Sequence, residues 1–295
     1  MRIALIINPK AGTKGSKESL IRNFHRLAKD TVPDSSFEIL TTKYAGHAIE
    51  LAAKVSKEGF DLCIAAGGDG TMNEVARSLM GTKTALGIVP LGSGNGLARH
   101  LKIPLNTEKA FLQLLKGKNE KMDAGRANGM PFFLASGFGF EGVVSHRFAN
   151  KKTRGFLQYI VSSIESFNQY KPIEISGTCD GTAFQSKIFT ATLANGSEYG
   201  NGAKIAPGAQ IDDGLLQFIR ILPFPLWSAV GLFLKLMIGR LRSSHFYCNS
   251  PFSNLIIKSE IPLLGHVDGE PVLFGNELTI EIEPGCLLIR KPPSS

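Results

Sequence analysis

Residues 67 to 73 read Gly-Gly-Asp-Gly-Thr-Met-Asn, between the apolar run Leu62-Cys63-Ile64-Ala65-Ala66 and the helix-like Glu74-Val75-Ala76-Arg77-Ser78-Leu79-Met80. Glycines let a chain turn sharply and let backbone N–H groups approach a ligand with no Cβ in the way. Thr71 stands where a helix is expected to begin, so its hydroxyl caps that helix or meets an anion that the helix dipole also favours. Asp69 is the carboxylate beside that anion. A phosphate suits this set of groups, and a Gly-Asp-Gly turn without a ligand is the alternative for the heptapeptide taken alone.

A second glycine turn, Leu91-Gly92-Ser93-Gly94-Asn95-Gly96-Leu97-Ala98-Arg99, follows the apolar run Ala85-Leu86-Gly87-Ile88-Val89-Pro90. Two further apolar runs end in Asn8-Pro9-Lys10-Ala11-Gly12 and in Thr41-Thr42-Lys43-Tyr44-Ala45-Gly46-His47. Four strand ends with small, amide or hydroxyl residues thus converge on one edge of one sheet. Neither glycine turn has the phosphate-loop spacing GxxxxGK[ST], and neither has the dinucleotide spacing G-x-G-x-x-G. The pattern implies a nucleotide site of another type.

The elements that must position these residues follow from periodicity. Up to about residue 120, β-branched runs (IALIIN, SFEILTT, DLCIAAGG, ALGIVPLG) alternate with amphipathic segments (SKESLIRNFHRLAKD, HAIELAAKVSKEG, TMNEVARSLMG). Interleaved strand and helix periods predict right-handed βαβ units on a parallel sheet, whose ligands sit at the carboxyl ends of the strands. After Met122-Asp123-Ala124-Gly125 the chain changes to strand-like pieces separated by Gly, Asn and Asp turns: PFFLASGFGF, KPIEISGTCDGTAFQSKIFTATLANG, GLLQFIRIL, NLIIKS, LLGHVDGEPV and ELTIEIEP. This predicts an antiparallel sandwich or barrel with one helix over about Lys152 to Gln169. The expected fold class is therefore α/β + β, a Rossmann-like parallel-sheet domain over 1–124 followed by an antiparallel β-sandwich domain over 125–276.

The chain of 295 residues is 43% hydrophobic and 20% charged, which excludes disordered and fibrous classes. Its charge of +8, from 33 Lys and Arg against 25 Asp and Glu, favours an anionic partner or simple solubility without choosing between them. Cys63, Cys179, Cys248 and Cys286 lie far apart, which reads as reduced thiols in a cytoplasmic protein and proposes no zinc site. The first apolar run is too short for a signal peptide and is stopped by Asn8-Pro9-Lys10. The segment Leu222 to Arg242 is highly apolar, contains the only Trp and ends in cations. Its two prolines, Lys235 and Arg240 make it a poor bilayer span; an interfacial segment and a helix buried on the second domain both remain open.

GGDGTMNEV, the early NPKAG, PLGSGNGLARHL, Tyr199-Gly200-Asn201-Gly202-Ala203-Lys204-Ile205-Ala206-Pro207, Asp212-Asp213-Gly214-Leu215-Leu216 and Asp268-Gly269-Glu270-Pro271 together resemble the diacylglycerol kinase catalytic-domain family. Within it the chain looks most like the compact bacterial soluble lipid kinases, related to sphingoid-base kinases. The Gly-Asp-Gly turn alone is shared with NAD kinases. The resemblance implies that ATP phosphates lie on Gly67, Gly68, Asp69, Gly70, Thr71, Met72 and Asn73 and near Gly92, Ser93, Gly94 and Asn95, with Asn8 and Thr42 also at the nucleotide. It implies Glu270 as the proton acceptor, with Asp268 as its rival and Asp69 as the acid at the phosphates. It further implies Mg²⁺, with Asp123 as an acid near metal and a structural site built from Asp213 and backbone oxygens of Gln210 and Leu215. A returning C-terminal segment, about 277–295, is implied to pack on the first domain.

The expected activity is transfer of the γ-phosphate of ATP to a lipid hydroxyl, of diacylglycerol or a related lipid such as a sphingoid base, with the lipid in a groove facing the β-rich domain. Expected partners are the lipid substrate at the membrane surface and peripheral contact with the inner membrane face, without nucleic acid. A homodimer is left open. One departure stands out: many members read Asn-Asp-Phe-Ala where this chain reads Asn95-Gly96-Leu97-Ala98. The missing acid bears on the metal network and on the choice of acceptor lipid. An NAD kinase and a non-catalytic nucleotide- or lipid-binding regulator are the alternatives. His47, His100 and His266 are read as ordinary loop histidines.

Overall fold

The computed structural model describes residues 1–12, 17–151, 156–199 and 202–292. Gly200 and Asn201 of the Tyr199 motif, residues 152–155 of the expected helix and the last three residues of the tail lie outside the described residues. The chain forms two compact units, Met1–Met122 with Gly285–Ser295, and Asp123–Pro284.

The first unit runs β1 (Arg2–Ile7), α1 (Lys17–Thr31), β2 (Ser36–Thr41), α2 (His47–Lys57), β3 (Leu62–Gly67), α3 (Asp69–Leu79), β4 (Ala85–Pro90), α4 (Gly96–His100) and α5 (Thr107–Lys116). Its parallel sheet has the order β2-β1-β3-β4. Every residue of β3 and β4 is buried, as expected of parallel strands covered by helices on both faces. Phe24 of α1 and Phe111 of α5 pack with ring centroids 5.2 Å apart, which seals one pair of helices. The returning chain joins β4 in parallel through the pair Leu86–Ile289, and Gly81 N–H donates to the Cys286 carbonyl at 2.7 Å.

Strand β5 (Lys118–Ala127) leads from the first unit into the second, which continues with β6 (Met130–Phe132), β7 (Ala135–Gly139), α6 (Phe140–Ala149), α7 (Phe156–Phe167), β8 (Ile173–Cys179), β9 (Thr182–Ile188), β10 (Thr190–Ala194), β11 (Leu216–Ile221), α8 (Ala229–Met237), β12 (Tyr247–Phe252), β13 (Asn254–Lys258), β14 (Leu264–Val267), β15 (Glu270–Leu273) and the first part of β16 (Glu277–Lys291), whose residues from Gly285 belong to the first unit. One antiparallel sheet has the order β12-β11-β10-β7-β14-β15; β16, β13, β8 and β9 form another. Phe138, Leu193, Phe218 and Phe252 from one sheet meet Ile175, Ile188, Ile257 and Ile280 from the other in a single buried core, the packing of a sandwich.

Two local details differ from the sequence reading. The run PFFLASGFGF is not one strand: β6 ends at Phe132, β7 begins at Ala135 and stops at Gly139, and the φ of +83° at Gly139 turns the chain into α6, a helix that the strand-like run concealed. The helix expected to open at Thr71 opens at Asp69, because Gly68, extended at the N-cap, lets the chain pass directly from strand to helix.

Candidate active site

In the first unit the strand ends are tied in sequence: Asn8 N–H donates to Ala66 O at 3.0 Å, Thr42 N–H to Ile7 O at 2.9 Å, and Leu91 N–H to Gly67 O at 2.8 Å. Thr71, Met72 and Asn73 are buried in the first turns of α3, whereas Gly70 is exposed. Thr71 makes no helix cap; its Oγ1 accepts from Asn8 Nδ2 at 3.0 Å. Thr42 is buried at the end of β2. Glu74, unremarked in the sequence reading, accepts from the N–H groups of Gly46 (2.9 Å) and Ala48 (3.2 Å) and so holds the start of α2 to α3.

The two glycine turns are locked together. Asp69 Oδ2 accepts from Asn95 N–H at 2.9 Å and Oδ1 from Gly96 N–H at 2.8 Å. Asn95, at φ +52°, folds the second turn on itself, accepting from Gly92 N–H at 3.0 Å and donating to Gly92 O at 2.7 Å. A Cβ at Gly92 would stand 2.7 Å from Gly68 Cα, and one at Gly94 would stand 2.8 Å from Asp69 Oδ2. The turns therefore touch backbone to backbone, with Ser93 exposed between them. Asn73 Nδ2 is buried and has no hydrogen-bond partner among the described residues. A buried donor of this kind calls for an acceptor, and a phosphate oxygen would supply one.

In the second unit, Asp268 and Gly269 form the two-residue turn between β14 and β15, both at positive φ (+47° and +87°). That is the hairpin geometry that Asp-Gly favours. The Asp268 carboxylate accepts from the N–H groups of Phe133 (2.8 Å), Leu134 (2.9 Å) and Ala135 (3.0 Å), and Asp268 N–H donates to Ala135 O at 2.8 Å. Burial raises the Asp268 carboxyl above its ordinary value, while those three donors and His266 pull it down. Glu270 opens β15 and is exposed.

The segment that holds Asp268 also reaches Asp123. Phe133 O accepts from Asn195 Nδ2 at 2.9 Å, and the same nitrogen donates to Asp123 O at 2.8 Å. Asp123 is 3% exposed; its Oδ2 accepts from Gly214 N–H at 2.8 Å and its N–H donates to Ile211 O at 2.7 Å. Asp123 is thus brought to the 210–215 loop, where Gln210 and Asp213 are exposed and Asp213 Oδ1 accepts from Leu215 N–H at 3.0 Å. No group of three or more His, Cys, Asp or Glu side chains among the described residues could form a metal cage. The available donors are a carboxylate and carbonyl oxygens, hard ligands of the kind that suit Mg²⁺.

A further polar cluster joins residues that the sequence did not connect. Glu141, 6% exposed on α6, accepts from Tyr199 Oη at 2.6 Å and from Thr192 Oγ1 at 3.1 Å, with His266 Nε2 3.4 Å away. Gly137 leaves the room: a Cβ there would stand 1.8 Å from Glu141 Oε1. Burial and then the Glu141 carboxylate push the Tyr199 hydroxyl well above its ordinary value, so it stays a donor. These residues are scattered over 125 positions, and no local pattern announces them.

Residues 2–127 match the family model described as the diacylglycerol kinase catalytic domain, and residues 135–290 match the YegS C-terminal NAD kinase beta sandwich-like domain. A protein of Pseudomonas savastanoi pv. phaseolicola named "Probable lipid kinase YegS-like" is 30% identical over 276 residues, covering 90% of this chain and 89% of that one. A "Diacylglycerol kinase" of Bacillus subtilis is 32% identical over 225 residues, covering 74% of this chain and 73% of that one. The chain belongs to the diacylglycerol kinase catalytic-domain family. The crystal structure of a diacylglycerol kinase from Bacillus anthracis covers 99% of this chain and 97% of that one with a TM-score of 0.79; at 21% identity this likeness is one of fold. As a member of a lipid kinase family the chain is a kinase, and the family implies use of a nucleotide. Within this kinase, the glycine-turn clamp lies in the part matched to the catalytic domain, whereas the Asp-Gly-Glu turn and the Glu141 cluster lie in the part matched to the sandwich domain.

Proposed function

We propose that this kinase transfers the γ-phosphate of ATP to the hydroxyl of a membrane lipid, diacylglycerol or a related lipid such as a sphingoid base. The observation that carries the reading is the Asp69 clamp. It joins the two glycine turns at the start of α3, whose buried Asn73 Nδ2 has no hydrogen-bond partner among the described residues and suits a phosphate oxygen. Gly67 to Asn73 and Gly92 to Asn95 would hold the phosphates, with Asn8 and Thr42 fixing the neighbouring strand ends. Mg²⁺, when bound, neutralises phosphate charge. Asp213 with the carbonyls of Gln210 and Leu215 would hold a structural ion, and Asp123 fixes that loop through Gly214.

Glu270 takes the proton of the lipid hydroxyl as the oxygen forms its bond to the γ-phosphorus; the bond to the β-phosphate oxygen breaks and ADP leaves. Asp268, with both oxygens on backbone N–H groups, holds the turn that presents Glu270.

Membrane contact falls to the 3₁₀ turn Leu226–Ser228 and α8. Trp227 is 84% exposed, Leu226, Val230 and Ile238 are exposed beside it, and Arg240 and Arg242 follow. Aromatic and aliphatic side chains next to cations suit the interface of an anionic bilayer. Among the described residues no helix is long and apolar enough to cross a membrane. A cytoplasmic location, peripheral at the inner membrane face, goes with this proposal and is supported by the exposed Trp227 segment and the cations that follow it.

The test is incubation of purified protein with radiolabelled ATP, Mg²⁺ and total lipid extract, followed by identification of the labelled species. Labelled diacylglycerol or sphingoid base is expected. Label on no lipid refutes the reading; NADP formation would point to an NAD kinase, and ATP binding without turnover to a regulator.

A further inference from the structure

His266 is 5% exposed and stands directly beneath the Asp-Gly-Glu turn. Its Nδ1 lies 3.3 Å from Gly269 N, which must be the donor. Nδ1 accepts from that N–H, and Nε2 is the ring's other nitrogen. That nitrogen faces Glu141 Oε2 at 3.4 Å. Glu141 is itself fixed by Tyr199 and Thr192 on the same carboxylate. From the other side, Ser145 Oγ of α6 donates to Gly269 O at 3.1 Å. Both polar atoms of the Gly269 backbone are therefore held by side chains, and both of those side chains are buried. Glu270 is the next residue.

We infer that His266 is a positioning residue for Glu270: buried between Glu141 and the Gly269 N–H, it fixes the backbone from which the proton acceptor projects. This inference rests on the reading of Glu270 as that acceptor. Asp268 anchors the first residue of the turn to Phe133–Ala135, and the backbone on the Glu270 side is anchored by His266 and Ser145. A turn with two residues at positive φ has few other geometries, so loss of one anchor shifts the residue after it. Tyr199 and Thr192 act on the turn only through Glu141 and His266.

The test compares His266→Asn with His266→Gln in the full chain. Asn sets its Oδ1 where Nδ1 stands and retains the acceptor for Gly269. Gln reaches toward Glu141 and leaves Gly269 N–H without its acceptor. Lipid kinase rates at saturating ATP should fall about tenfold to a hundredfold in His266→Gln, the cost of a misplacement near 1 Å, and by less than about threefold in His266→Asn. The KM for ATP should stay within about twofold in both, since the phosphates bind elsewhere. Hydrogen exchange at the Gly269 amide gives a readout independent of activity: it should quicken about fivefold or more in His266→Gln and stay near the wild-type rate in His266→Asn. Equal kcat in the two variants, or equal Gly269 exchange, overturns the inference. A wild-type chain that phosphorylates no lipid refutes the functional reading instead, while exchange at Gly269 still decides whether His266 holds the turn.

Discussion

Replacing Asp268 by Asn changes one atom and separates anchoring from chemistry. In the native turn a single carboxylate accepts from three backbone N–H groups at 2.8, 2.9 and 3.0 Å. An Asn carbonyl can keep the two bonds to Leu134 and Ala135, each weakened by loss of the charge. Its amide nitrogen then faces Phe133 N–H, donor against donor. Hydrogen bonds to a charged group contribute about 1.5–3 kcal/mol and neutral ones about 1 kcal/mol, so a loss of about 2–4 kcal/mol is expected for a half-buried site. That corresponds to a fall in Tm of roughly 4–16 °C for a unit of this size. Urea unfolding followed by far-ultraviolet circular dichroism measures it, with Glu270→Gln as the contrast. Glu270 is exposed and Gln keeps its shape, so its stability should change by less than about 0.5 kcal/mol while kcat falls about 10²- to 10⁴-fold. If Asp268→Asn unfolds with the wild-type midpoint yet loses turnover as Glu270→Gln does, the anchoring argument is wrong and Asp268 takes part in the chemistry.

Gly92→Ala places a Cβ 2.7 Å from Gly68 Cα, a backbone contact that no rotamer relieves; calorimetric titration should show ATP affinity reduced about tenfold or more, the scale of an ångström-sized displacement. Asp213→Ala should lower the magnesium that copurifies with the protein, measured by atomic emission, and Asp212→Ala should not; equal metal content in both removes the loop site. Burial pushes the Cys63 thiol up to about 12, so iodoacetamide at pH 8 should leave it unmodified in the native protein and alkylate it in urea, as read by mass spectrometry. Because that value lies above the ordinary 9.0 of the unfolded chain, the group's contribution to stability is intact below pH 9 and declines as pH rises toward 12, so Cys63→Ala should make the alkaline loss of stability shallower.

The two fold classes were legible because they rest on short-range periods. Fully apolar runs of strand length between amphipathic segments allow only a buried parallel sheet. The Asp-Gly pairs at 180–181 and 268–269 mark hairpins, since both residues must take positive φ, and both pairs do. The runs that fail are those where periodicity is silent. Phe140 begins a helix at the end of a run that reads as strand, and only the φ of Gly139 shows where the strand stops.

Sequence by itself determined where side chains are missing at the two strand-to-helix junctions, because these are local properties of GGDGTMN and GSGNG. Only the tertiary structure decided who partners whom. Asp69 reads as an acid for phosphate or metal, and in the fold its two oxygens hold the N–H groups of Asn95 and Gly96. His266 reads as an ordinary loop histidine, and in the fold it lies between Glu141 and the amide of Gly269. A carboxylate or an imidazole has the same chemistry wherever it stands in a chain. What it does depends on which donors and acceptors lie within about 3 Å, and packing brings those from 26 residues away for Asn95 and from 125 for Glu141.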